Sequence, residues 1–529
     1  VDDASTESPS SIGDLLRRAA AARGDALAVV DGSSRCSWAE LEQRVGHCAT
    51  ALAGAGLRPG DRIALQAPTG LDFVIVYLGA LRAGLVVVPV NPAYTLAELS
   101  HILDDCGAGM LVTASVSVVA AAAELLARHP ALQRVVVAAR TGIDEVPSVA
   151  ELLAAGRDGS AIDADRTGED LAVLLYTSGT SGRPKGAMLP VRALLANLTQ
   201  FAELDPPPVS ASDVLFLPLP LFHVFGLNAG LGLALHFGAT VVLEGRFDAV
   251  AGLATIRDER VTVVMGAPLE FAVWAQTDGF ASAFGAPGST VRFGLAGSAP
   301  LPADLVATYA EQGVPLFEGY GLTEAAPVVT VNLVTDAELP ARWQPPKAGS
   351  IGRPLPGVEV RLLDSDGEVV EAGDLGTLEV RGANLFTGYW PDGTDGPVAS
   401  EDPAEDGWFA TGDLAVADDD GDYYLVGRRS DLVLVNGFNV YPAEVEAVFS
   451  RLAGVAEVAV LGEADDGEPE TVVAYVVPAA GTVLDPEELL AEAGRSLARF
   501  KLPRRIVEVE ALPHTATGKV MKWRLPTTR

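Results

Sequence analysis

The sequence predicts an α/β protein: a large N-terminal domain of parallel sheets flanked by helices, with a small antiparallel β region, then a small mobile α+β C-terminal domain. Three observations carry this. Apolar β-branched runs alternate with Ala- and Leu-rich helical runs over most of the chain, as in parallel strands covered by helices. After about Gly349 the texture changes to short alternating segments separated by Asp-Gly and Gly turns. The length of 529 residues is more than one compact core accommodates, so two or more domains are expected.

Taken in order, residues 63–66, 71–83 and 85–90 read as strand, helix and strand, and 110–113, 135–137 and 241–243 add short β-branched strands. The longest apolar stretch, 214–243, contains Pro218, Pro220, His223, Asn228 and His236. A membrane-spanning helix would tolerate these poorly, so the stretch reads as a buried strand, a functional loop and a core helix. Residues 358–364, 376–381 and 422–427 form the expected antiparallel region. Pro442 near a helix start, with Glu444 and Glu446 behind it, opens a helix over 442–452, and a βαβ-like unit follows. The pattern places the domain boundary near 428–431, giving domains 1–428 and 429–529.

A net charge of −33 argues against a nucleic-acid partner, which needs a basic face. Cys36, Cys48 and Cys106 are too few for a disulfide framework and lack metal-ligand spacing; a reducing cytoplasm is the expected compartment. Residues 1–13 are polar and acidic, without the pattern of a secretory leader. No integral membrane segment is expected; peripheral membrane contact is left open.

The strongest chemical signal is Tyr176-Thr-Ser-Gly-Thr-Ser-Gly-Arg-Pro-Lys-Gly-Ala-Met188. It follows an apolar strand. Glycines let backbone N–H groups approach a polyanion, hydroxyls add donors, and Lys185 adds charge. Gly186 follows the lysine, so this is no Walker A loop. A second segment, Glu318-Gly-Tyr-Gly-Leu-Thr-Glu324, offers Tyr320 to a base, Thr323 to a phosphate and Glu324 to Mg²⁺. Alone it reads equally well as a Gly-rich turn with a core tyrosine. Asp413, in a tight Gly turn, suits a ribose diol. Lys519 lies in a Gly-rich turn of a tail where, from Arg495 onward, nine Lys and Arg face two Glu.

These segments, in this order, resemble the core motifs of the ANL superfamily of adenylate-forming enzymes, and specifically its acyl-CoA synthetase branch. The resemblance runs from Trp38-Ala-Glu-Leu41 and Gly60-Asp-Arg62 to Lys519. It implies that Thr177, Ser178, Gly179, Thr180, Ser181, Gly182 and Lys185 grip the ATP phosphates. Gly297, Ser298, Ala299 and Pro300, with Gly319, Tyr320 and Gly321, would wall the adenine site. Thr323 and Glu324 would meet phosphate and magnesium, and Asp413 and Arg428 the ribose. Lys519 would bridge carboxylate and α-phosphate during adenylation. Asn436 and Gly437 would take its place beside coenzyme A after the C-terminal domain turns at Ser430. Many relatives carry Asp or Lys at this hinge, so Ser430 is a departure. A second is Pro190-Val191, where a Thr-His pair is common.

His223 in Pro220-Leu-Phe-His-Val-Phe-Gly226 resembles the residue near the substrate carboxylate; the Phe-Asp of amino-acid-activating domains is missing. The expected function is ATP-, Mg²⁺- and coenzyme A-dependent activation of a carboxylic acid, most simply a medium- or long-chain fatty acid, by a monomer or homodimer. Aryl or short branched acids, a carrier-protein acceptor, or a catalytically dead nucleotide-binding protein are the alternatives.

Overall fold

The computed structural model describes residues 8–526 apart from 139–145, 158, 160–161, 165, 178–183, 286, 334–344, 392–405, 436–437, 464–469 and 516–517. Contacts divide the chain into two compact units. One comprises Val1–Ala348, Gly352–Glu359 and Arg381–Phe409; the other comprises Gly349–Ile351, Val360–Val380 and Ala410–Arg529.

The first unit holds two large sheets. A nine-stranded sheet runs Arg353–Pro354, Val328–Val331, Leu316–Gly321, Phe293–Ala296, Val263–Gly266, Val214–Leu217, Thr240–Leu243, Leu27–Asp31, Ser34–Ser37. Its six central strands are parallel and its edges antiparallel. A six-stranded sheet runs Arg134–Val137, Met110–Thr113, Arg62–Gln66, Val86–Pro89, Leu171–Thr177, Lys185–Pro190, parallel except for the last pair. The strands are apolar runs because helices cover both faces. Several helices start on reciprocal caps, Ser37 with Glu40, Thr95 with Glu98 and Ser148 with Glu151. The aromatic core beside the nine-stranded sheet gathers Phe216, Phe271, Trp274, Phe284 and Tyr309. Cys36, Cys48 and Cys106 are free and buried; desolvation pushes the thiols of Cys48 and Cys106 up to about 12.

The expected strands at 63–66, 110–113, 135–137 and 241–243 are present, and the helix after the first runs Leu71–Arg82. The apolar stretch 214–243 opens as a strand, Val214–Leu217, and passes through a loop. It then forms a π-helix, Phe225–Gly232, continued by the α-helix Leu233–Phe237 and the strand Thr240–Leu243. No described helix is long and apolar enough to cross a membrane.

A four-stranded sheet orders Val358–Leu363, Leu375–Gly382, Phe409–Ala417 and Tyr423–Arg428. In the second unit, strands Val455–Glu463 and Thr471–Pro478 are antiparallel. The strand Arg505–Glu508 returns parallel to the latter after the helix Pro486–Ala493, a βαβ crossover. The helix Pro442–Phe449 stops short of the expected Leu452. Much of the basic tail is paired within this unit: Lys501 with Glu444, Arg505 with Glu463, and Lys522 with Glu446.

Candidate active site

In the first unit the Ser/Thr/Gly-rich segment connects the two strands at the edge of the six-stranded sheet. Thr177 and Lys185 are register partners across that antiparallel pair, and the Thr177 hydroxyl donates to the Lys185 carbonyl at 3.5 Å. Ser178, Gly179, Thr180, Ser181 and Gly182 lie outside the described residues. The base of the hairpin is anchored by Tyr176, whose hydroxyl donates to Asp105. Lys185 itself is exposed.

The strand Leu316–Gly321 delivers Gly319, Tyr320 and Gly321 to its C-terminal end, and Thr323–Ala325 is a 3₁₀ turn. A Cβ on Gly321 would lie 2.1 Å from the Pro327 carbonyl oxygen, so the return of the chain there requires glycine. Buried amides hold the turn. Asn228, on the π-helix, donates to the Ala326 carbonyl at 2.7 Å and to Leu194 at 3.1 Å. Asn384 donates to Ala325 at 2.8 Å and Asn197 to Val328 at 2.8 Å. These bonds give the buried amides of Asn197, Asn228 and Asn384 their partners in an otherwise apolar core. A π-helix is an unusual element that concentrates at functional sites; here it presents Asn228 to the turn.

Gly297 ends the strand Phe293–Ala296, and the Phe225 ring covers it: a Cβ there would sit 3.1 Å from Phe225 Cε1 and 3.4 Å from the Gly319 oxygen. Gly297, Gly319 and the start of the π-helix thus meet at one point. Ser298 has a left-handed φ of 73°, an uncommon state for a residue with a Cβ, and it is exposed with Pro300; Ala299 is half-buried. His223 is half-buried, and its Nδ1 accepts from the Phe225 N–H at 3.3 Å. In the neutral ring the proton therefore sits on Nε2.

One participant was invisible to motif reading. Tyr389 donates its hydroxyl to Glu324 Oε1 at 2.6 Å, while the Lys185 ammonium lies 5.3 Å from its ring centroid. Only the run Gly388-Tyr-Trp390 hinted at it, an aromatic pair behind a glycine between the second and third strands of the four-stranded sheet.

Glu318 is buried, and desolvation raises its carboxyl to about 8 against the opposing hydrogen bond from the Leu301 backbone.

In the second unit Asp413 and Arg428 are register partners, with Arg428 Nε 3.1 Å from Asp413 Oδ1. Gly412, at φ 77°, makes the turn that the Asp413 amide closes onto Thr411 Oγ1 at 3.1 Å. Lys519 sits in a turn closed by Thr515 N–H to the Lys519 oxygen, 2.8 Å, with Gly518 at φ 79°. Its ammonium is held below the ordinary lysine range, first by desolvation and then by the Arg428 charge; Asp413 and Asp431 oppose this. Asp413, Arg428 and Lys519 are thus one electrostatic cluster. Asn436 and Gly437 lie outside the described residues.

The residues present suit a magnesium nucleotide. Glu324 commits one oxygen to Tyr389, and its other oxygen has no hydrogen bond among the described residues. No group of three or more His, Cys, Asp or Glu able to hold a metal is found among them. A lone carboxylate matches a hard cation that keeps waters and phosphate oxygens as its remaining ligands.

In the first unit Lys185, Tyr389 and Glu324 stand together, and in the second unit Asp413 pairs with Arg428. Residues 16–390 match the AMP-binding enzyme family and residues 444–519 the AMP-binding enzyme C-terminal domain. The chain belongs to this family and is an adenylate-forming acid–thiol ligase using ATP, Mg²⁺ and coenzyme A. It is 37% identical to a feruloyl-CoA synthase of an Amycolatopsis species over 94% of each chain. It is 33% identical to a long-chain fatty acid–CoA ligase of Mycobacterium tuberculosis over 97% of each. Among solved structures, ATP-bound MatB from Rhodopseudomonas palustris is 32% identical with a TM-score of 0.85, over 97% of this chain and 98% of that one.

Proposed function

We propose that this chain activates an apolar monocarboxylic acid, in the first instance a medium- or long-chain fatty acid, and transfers it to coenzyme A. The supporting observation is the Lys185–Tyr389–Glu324 arrangement at the base of the phosphate hairpin, which offers a polyphosphate a cation and a metal-competent carboxylate side by side. The acid's carboxylate oxygen attacks the α-phosphorus and the bond to pyrophosphate breaks. Lys185 and the hairpin donors take up charge on the departing pyrophosphate, and Lys519 supplies positive charge at the reacting carboxylate and α-phosphate. Magnesium, when bound, spreads phosphate charge. The thiolate of coenzyme A then attacks the acyl carbon and AMP leaves, so no covalent enzyme intermediate is required. Thr323 is assigned to phosphate, Asp413 and Arg428 to ribose, and Gly297, Ser298, Ala299, Pro300, Gly319, Tyr320 and Gly321 to adenine. His223 is assigned to the acid's carboxylate.

The reading of the acid as apolar and singly charged rests on residues 214–243, which contain no Asp, Glu, Lys or Arg to receive a second carboxylate. A second reading, an aryl-alkenoic acid, is favoured by the similarity to a feruloyl-CoA synthase. The functional division is proposed at Arg428, with 429–529 acting as a lid that turns at Ser430, in a cytoplasmic protein. The test is release of AMP and pyrophosphate by the purified protein with Mg-ATP and coenzyme A across saturated acids of increasing length, benzoate, cinnamate and ferulate. Acyl-CoA peaking at one chain length supports the fatty acid. A ferulate or cinnamate optimum replaces it with the second reading. Pyrophosphate exchange without acyl-CoA moves the acceptor to a carrier protein.

A further inference from the structure

Lys185 and Glu324 carry opposite charges and belong to the same site, yet among the described residues they form no ion pair with one another. Left to themselves they would attract, and a closed Lys–Glu pair would present neither charge to a nucleotide. Tyr389 stands between them and serves each differently. Its ring face receives the ammonium at 5.3 Å from the centroid, within the range of a cation–π contact. Its hydroxyl proton occupies Glu324 Oε1 at 2.6 Å, which orients the carboxylate and leaves Oε2 as the acceptor.

The tyrosine is held rigidly. Its strand segment pairs with the outer strand of the phosphate hairpin: Tyr389 opposes Ala187, Trp390 N–H donates to Gly186 at 2.7 Å, and Met188 N–H donates to Gly388 at 3.0 Å. On its other side Phe386 N–H donates to the Glu324 carbonyl at 2.8 Å, and the Phe386 and Tyr389 rings meet edge to face at 5.0 Å. One short segment therefore ties the lysine strand and the glutamate turn together by backbone, and their charged ends by one side chain.

We propose that Tyr389 is a positioning residue for adenylation, aiming the Glu324 carboxylate at the metal and the Lys185 ammonium at the phosphates while keeping the two from neutralising each other. The proposal rests on the adenylating function given above.

The test compares wild type with Tyr389→Phe and Tyr389→Leu in the full chain. The readout is the rise in melting temperature produced by ATP as Mg²⁺ is titrated, alongside the KM for Mg-ATP and for the acid. The phenylalanine variant keeps the ring and loses the bond to Glu324. It should need ~3–10-fold more Mg²⁺ for the half-maximal shift, as expected for loss of one hydrogen bond to a carboxylate. At saturating Mg²⁺ its shift should match that of wild type. The leucine variant also loses the ring and should weaken Mg-ATP binding a further ~3-fold or more at saturating Mg²⁺, with the acid KM unchanged. A phenylalanine variant with the wild-type Mg²⁺ requirement overturns the proposal, as does a loss confined to melting temperature without ligand. Wild type showing no ATP-induced shift at any Mg²⁺ concentration overturns the adenylating function and the proposal together.

Discussion

Arg428 Nε stands 3.1 Å from Asp413 Oδ1, and the two residues face each other in register across strands Phe409–Ala417 and Tyr423–Arg428. The Arg428 side chain is 44% exposed, so the pair adds little to stability. Its effect is positional, since the guanidinium fixes which way the carboxylate points. Asp413→Asn keeps the shape and removes the charge that would accept from two ribose hydroxyls. In acid-dependent pyrophosphate exchange the KM for ATP should rise ~10–100-fold, the range for a charge-assisted hydrogen bond pair. The acid KM and the melting temperature should hold. An unchanged ATP KM would remove Asp413 from the ribose site.

Lys519→Ala separates the two half-reactions. Pyrophosphate exchange should fall ~10²–10³-fold, as for loss of one group aimed at developing charge. Transfer to coenzyme A from a supplied acyl-adenylate should keep most of its rate. Equal loss in both would refute the assigned role.

The role proposed for Lys519 carries a pH prediction. Desolvation and the Arg428 charge depress its ammonium, so it loses its proton at lower pH than an ordinary lysine. Because the role proposed for Lys519 needs the charged form, the alkaline limb of the exchange rate should fall below the usual lysine range near 10.4. Lys519→Arg, slower overall, should push that limb upward, because a guanidinium stays protonated there. Identical alkaline limbs in the two proteins would assign the limb to another group.

How much of this was legible beforehand depends on where the partners lie. The strand at 110–113 and the strand–helix pair around 63–82 follow from local periodicity, because helices bury both faces of each parallel strand. Thr323, Glu324, Asp413 and Lys519 stand in short segments that are ambiguous one by one and gained their expected roles only from their joint resemblance to the family's motifs. Tyr389 does not: its partners lie 65 residues back at Glu324 and far upstream at Lys185, and no local pattern encodes either contact. The π-helix escaped for a similar reason. Phe225–Gly232 reads as an apolar helix, and what marks the wider turn is a backbone bond to the fifth residue back, as from the Leu233 N–H to the Asn228 carbonyl. The order of strands in either sheet likewise depends on crossovers that the sequence lists without arranging.

Glu318 gives a stability test with a defined sign. Burial raises its carboxyl to about 8 from 4.5. Below 4.5 folded and unfolded chains both hold the proton. Between 4.5 and 8 the unfolded chain releases it and the folded one keeps it, so stability falls as pH rises through that window. Glu318→Gln removes this slope. Its melting temperature should exceed wild type at pH 8, and the gap should close toward pH 5. A pH-independent gap would mean that Glu318 does not titrate in that window.

The last prediction concerns the loop that carries His223. A Cβ on Gly226 would lie 2.5 Å from the Pro220 carbonyl oxygen, a backbone atom that cannot step aside as a flexible side chain would. Gly226→Ala must therefore displace the 220–226 turn or the first turn of the π-helix, at a cost of about 1–3 kcal/mol for overpacking. Because His223 Nδ1 accepts from the Phe225 N–H, the displacement reaches the imidazole directly. The KM for the acid should rise ~10-fold, as ~1.4 kcal/mol of misplacement would give, with a smaller rise in the ATP KM because Phe225 covers Gly297. Gly54→Ala is the control: it ends the helix Trp38–Gly54, a Cβ there meets nothing within 4 Å, and alanine favours the helix. If Gly226→Ala leaves the acid KM at the control value, His223 does not touch the substrate.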